Sequence, residues 1–281
     1  MIRIFNQKLS KTVLSALIVA GLFLPAARSH AQESFQSTIR EIANRIGTLL
    51  MLRKNSELSP EEKLRQEITA RKEAVRKIFD LTELEQSDLL SRLSGLENLN
   101  EQQEKMRTAL TELVKENSNG LKEIRNRLDK ADTLDDIKQL AADFKDWRTF
   151  VYNPKTEKVV AFTFVFQGKN ILSVTDERLE RVKNDLAEYQ NSLKESDKEA
   201  EGLLAKAGTE IREAHELNGQ ARNIILIALN NSLFPFKNAR INEKELARDI
   251  YDSKSFTEKS MQHIRKAYSI FLELGKITRS E

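Results

Sequence analysis

Residues 172–193 read LSVTDERLERVKNDLAEYQNSL, and the spacing of their apolar members decides the fold class. Leu172, Leu179, Val182, Leu186, Tyr189 and Leu193 recur at steps of three and four once Thr175 is counted as the one polar member. A period of 3.5 over about three heptads is the signature of a helix that buries a narrow seam. Asp176, Arg178, Lys183 and Asp185 flank the seam. Such a seam needs cover, either from the chain's own helices or from a second chain. Other apolar stripes along the sequence favour cover from within, and self-association is the alternative.

Upstream, residues 159–166 read VVAFTFVF. Aromatic and β-branched residues with phenylalanine at alternate positions fit a strand. No partner strand is visible elsewhere, and a lone strand is unstable. The spacing therefore predicts a buried helix. If it runs unbroken from Pro154 to Leu193, it is roughly 60 Å long.

The chain before Pro154 reads as a series of helices. Ile39, Ile42, Ile46, Leu49 and Leu50 mark the first, over about 35–54. Ser59-Pro60-Glu61-Glu62 is a start signal: Ser59 caps, Pro60 suits the first turn and Glu62 completes a capping box. Leu64, Ile68, Val75 and Ile78 are the stripe of that helix, which extends to about Leu93. A helix over about 101–116 follows. Asn117-Ser118-Asn119-Gly120 reads as a turn, then a short helix over 121–130. Thr133 and Asp136 form another cap ahead of Ile137, Leu140, Phe144, Trp147 and Val151. Asn153-Pro154 is read as the end of this helix and the start of the next. Trp147, Phe150, Tyr152, Phe162, Phe164 and Phe166 concentrate aromatics around that point, as a packing knot does.

Beyond Ser196, Gly202, Ala205, Ala207, Gly208, Ala214, Gly219, Ala221 and Ala228 are small residues that let helices approach closely. Leu233-Phe234-Pro235-Phe236 is a loop with two aromatics. A modest helix over 243–251 and a last one capped by Ser255 and Glu258 complete the chain. The expected fold is all-α: an elongated antiparallel bundle of helical hairpins, with residues 32–152 and 153–281 as its N- and C-terminal regions.

The first residues carry a different signal. Arg3, Lys8 and Lys11 precede an apolar run from Val13 to Leu24, and Ser29-His30-Ala31 offers small residues at the two cleavage positions. This is the pattern of a secretory signal peptide over residues 1–31. Export to the periplasm, the cell surface or the medium is expected. Of 46 basic residues, Arg3, Lys8, Lys11 and Arg28 lie in that segment, which has no acid; the remaining 42 face 43 acidic residues. No global charge is left to draw the mature chain to nucleic acid. There is no cysteine, so thiol nucleophiles, thiolate metal sites and disulfides are excluded.

Motifs for chemistry fail on spacing. Glu216 follows His215, but Gly219 stands where a second histidine of a metalloprotease helix would be. His215 and His263 read as unrelated side chains. Gly202 and Gly208 lie in a helical pattern and form no phosphate loop. Asp129, Asp132, Asp135 and Asp136 lack the glycine and glutamate of a calcium loop. No catalytic, cofactor-binding or metal residue is expected. The residues expected to form an interaction surface are Leu172, Leu179, Val182, Leu186, Tyr189, Leu193, Phe234 and Phe236. The function that follows is an exported scaffold that binds another protein. The alternatives are a wall-polysaccharide enzyme using a carboxylate pair and a ligand-binding sensory bundle.

Overall fold

The computed structural model describes residues 29–54, 58–193, 197–235 and 242–277. The fold is all-α, with no strand among the described residues. In chain order the elements are α1 (Ser29–Lys54), α2 (Pro60–Ser94), α3 (Glu101–Asp129), α4 (Leu134–Trp147), a π-helical turn (Arg148–Tyr152), α5 (Asn153–Leu193), α6 (Lys198–Leu233) and α7 (Glu243–Ile277). The signal segment lies outside the described residues, apart from Ser29, His30 and Ala31, which open α1. Among the described residues no helix is long and apolar enough to cross a membrane. The chain divides into two compact units. One takes the residues up to Ser91 with Val114–Tyr152, and the other takes Arg92–Leu113 with the chain from Asn153 onward.

In the first unit the local start signals form as the residue types dictate. Ser59 N donates to Glu62 Oε2 at 3.1 Å and Glu62 N donates to Ser59 Oγ at 3.3 Å. Thr133 and Asp136 make the same reciprocal pair at 3.0 and 3.1 Å. Phe79, Leu121, Leu128, Leu140 and Phe144 form the apolar centre. Leu64, read as part of the α2 stripe, is exposed instead, and Ala70, Ala74, Phe79 and Leu81 carry the burial.

The turn expected at residues 117–120 is absent, because α3 runs through it. Packing explains the difference. Asn117 is buried, and Ser118 Oγ donates to Gln86 Oε1 at 2.7 Å. A Cβ on Gly120 would stand 2.9 Å from Trp147 Nε1, so the glycine is there to admit the indole. At Asn153-Pro154 an α-helix begins, as expected, but the chain enters it from a π-helical turn and not through a non-helical break. A proline ring clashes with the carbonyl four residues back, here that of Phe150, and the π turn over Arg148–Tyr152 widens the helix at that point.

In the second unit residues 159–166 are helical, within α5. Val159, Ala161, Phe162, Val165 and Phe166 are buried. The seam beyond them is covered from within the chain. Leu186 packs in a cluster with Ala200, Ala207, Ile211, Ala267 and Phe271, and Leu179, Val182 and Tyr189 lie half-buried against it. Leu172 packs with Ala214 and Ile264. Thr175 is buried, and its hydroxyl donates to Ile171 O at 2.8 Å.

The cover comes from two helices with matched repeats. On α6, Ala200, Ala207, Ala214, Ala221 and Ala228 are buried at every seventh position, interleaved with Ile211, Asn218 and Ile225. On α7, Leu246, Ser253, Ser260, Ala267 and Leu274 repeat likewise, interleaved with Ile250, Thr257, Ile264 and Phe271. Small residues facing small residues bring the backbones together, and Ser260 Oγ donates to Ala214 O across the pair at 2.8 Å. The cap expected at Ser255, with two helices on either side, is replaced by this one continuous helix. Ser253 and Thr257 are seam residues, and their hydroxyls bond carbonyls of their own helix at 2.9 Å. The α5 backbone meets the pair at Gly168, where a Cβ would stand 2.8 Å from Asn218 Nδ2 and 3.2 Å from Thr257 Cγ2.

Candidate functional site

The second unit presents an apolar cleft between α5 and α7. Val174, Arg178 and Arg181 form one wall, spaced by four and three residues so that they share a helical face. Tyr268, Phe271 and Leu272 form the other. The cleft is a shallow depression of about 280 Å³, half open to solvent. Val174 and Leu272 are not spent on the core, at 53 % and 71 % exposure, whereas Phe271 is also part of the buried cluster around Leu186. Arg181 lies 3.9 Å from Glu177, at the edge of an ion pair. The cleft is thus apolar along its length and basic along one rim.

These residues are not the expected surface. Leu172 and Leu186 are buried, and Leu179, Val182 and Tyr189 are half-buried, all against α6 and α7. Phe234 is exposed at the end of α6. Phe236 lies outside the described residues, as does the side chain of Leu193. The outward face of α5 was readable in principle: Ile171 and Val174 are apolar residues off the heptad seam. What the sequence could not show is that Tyr268 and Leu272, about a hundred positions later, line the same cleft.

His215 and His263 are unrelated to each other, one exposed and one half-buried, as expected, but each meets carboxylates on a neighbouring helix. His215 Nε2 on α6 lies 2.9 Å from Asp176 Oδ1 on α5. His263 Nδ1 on α7 lies 2.7 Å from Glu210 Oε2 and 3.0 Å from Glu213 Oε2 on α6. Lys266 Nζ lies 3.5 Å from the same Glu210 oxygen. Burial pushes the Glu210 carboxyl up, but His263 and Lys266 outweigh it and hold the group below the usual range. These partners are tens of residues apart in the chain, so spacing within one helix carries no trace of them.

The first unit has a half-buried ionic network beside the π turn. Arg148 Nη2 donates to Glu85 Oε2 at 3.0 Å, and Arg148 Nη1 donates to Thr82 Oγ1 at 2.9 Å. Tyr152 Oη donates to Glu85 Oε2 at 3.0 Å, and the guanidinium lies over the Tyr152 ring at 4.8 Å. Burial raises the Glu85 carboxyl above the usual glutamate range, against the pull of Arg148 and Tyr152. Thr82 Oγ1 in turn donates to Ile78 O at 3.0 Å, so the network ties the π turn to α2. Phe150, in the same turn, points away from the core at 74 % exposure.

The chain matches no protein-family model, no curated protein and no solved structure.

Proposed function

We propose that this is an exported helical scaffold that binds a protein partner in the cleft between α5 and α7. The observation that carries the reading is the pairing of exposed Val174, Tyr268 and Leu272 with Arg178 and Arg181 along one rim. Apolar surface grouped in a cleft, with cations beside it, suits an amphipathic helix that has leucine-like residues on one face and acids flanking them. The partner is therefore a helical segment with acidic flanks, belonging to another exported or envelope protein. Rigid walls support this role. The α5 face is fixed by the buried seam behind it and the α7 face by its small-residue contact with α6, so little ordering entropy opposes docking.

A photo-crosslinking residue at Val174, in protein expressed in its native compartment, tests the reading. The expected product is a crosslinked peptide with an amphipathic pattern and acidic flanks, lost when Arg178 and Arg181 are changed to Glu. Crosslinks to a second copy of this chain, or none above those from a crosslinker at exposed Glu116, would refute it.

A further inference from the structure

We propose that Glu210, Glu213 and His263 form a binding site for one divalent transition-metal ion of the Zn²⁺ class, clamping α6 to α7. The site is separate from the α5–α7 cleft and does not rest on it. Glu210 and Glu213 are three apart on α6 and so project from one face. His263 enters from the facing helix. The three donor atoms lie within 4.8 Å of one another, with the imidazole nitrogen 2.7 and 3.0 Å from the two carboxylates. Two ligands bonded at about 2.0–2.2 Å to one ion stand roughly 3.0–3.5 Å apart, given near-tetrahedral to right-angled bonding. The two nitrogen–oxygen distances therefore need to open by less than about 1 Å, and side-chain rotation has to set the two carboxylates about the ion.

The helices hold the donors there. Glu210 and Glu213 flank Ile211 and precede Ala214, and His263 precedes Ile264; these are buried members of the two facing repeats. The small-residue contact at Ala214 and Ser260 sets the helices close enough for short side chains to meet between them. His263 and Glu210 are mostly covered, at 21 % and 24 % side-chain exposure, while Glu213 at 49 % leaves one side open to water. Two carboxylates converging on one nitrogen concentrate negative charge that a dication neutralises. The neighbouring cation Lys266, 59 % exposed and 3.5 Å from the same Glu210 oxygen, is the group an ion would displace. One nitrogen and two oxygens, with open positions for water, suit Zn²⁺ and its first-row neighbours better than Ca²⁺ or Mg²⁺, which prefer all-oxygen shells.

The test is calorimetric titration of the tag-free full chain with Zn²⁺ after chelator treatment and dialysis. The expected result is one saturable site per chain, a higher thermal midpoint with Zn²⁺, and no displacement by Ca²⁺. His263→Gln should abolish the site, His215→Gln should leave it intact, and Lys266→Met should tighten it by removing the competing cation. If His263→Gln fails to fold by circular dichroism, Glu213→Gln, at the most exposed ligand, decides instead, with binding weaker by about tenfold or more. Absence of saturable Zn²⁺ uptake, or uptake unchanged in both the His263 and Glu213 variants, overturns the proposal.

Discussion

At Glu85, burial and ion pairing pull the carboxyl in opposite directions, and burial wins. The folded state thus keeps a proton on Glu85 over a range in which the unfolded chain has released it. By linkage, this group's contribution to stability is fully present below the ordinary glutamate range and is lost as pH rises through the raised value. Urea unfolding followed across that window should show the decline, and Glu85→Gln should remove it. Glu85→Ala is a harsher change. It strands the Arg148 guanidinium, only 14 % exposed, and should cost about 3–5 kcal/mol. None of this was readable from the residue itself. Glu85 sits in a charged helical stretch whose neighbours look solvated, and its partner lies 63 positions away.

Helix starts were legible where a cap is made by residues three apart, except at Ser255 and Glu258, which lie inside α7. Ser59 with Glu62 and Thr133 with Asp136 form as expected, and Thr133→Ala should cost about 1 kcal/mol. Helix interruptions were the least legible. Residues 117–120 and 253–258 hold the short polar residues and glycine that favour turns, but the same types serve where helices pack tightly. Which use prevails depends on what faces them, Trp147 in one case and the α6 alanines in the other. The alanine repeat at 200, 207, 214, 221 and 228 was present in the sequence all along. It was masked by unrelated small residues at 202, 205, 208 and 219, of which Gly202, Gly208 and Gly219 meet no neighbour. Ala214→Leu should push α6 from α7 and cost about 1–3 kcal/mol, read as a lower urea midpoint with an unchanged slope. A neutral result would mean that the two helices do not approach closely there.

For the whole molecule, the all-α class followed from periodicity and from scarce glycine and proline, both of which are local properties. The division into two units was less accessible, since 92–113 joins the C-terminal part across a long gap in sequence. Export is a proposal with its own check: the exported chain should begin at Gln32, and a mass that retains Met1 would contradict cleavage after Ala31. We assign the two apolar faces of α5 different uses: the inward seam holds the fold, and the outward cleft is the proposed docking surface. Leu186→Asp and Leu272→Asp separate them. The most direct measurement combines thermal unfolding of both variants with crosslinking from position 174 in each variant that folds. Leu186→Asp should lose several kcal/mol of stability by burying an unpaired charge. Leu272→Asp should unfold at the parental midpoint and lose the crosslink. A Leu272→Asp protein that keeps its crosslink, or that is destabilised as much as Leu186→Asp, would show that the two faces do not have separate roles.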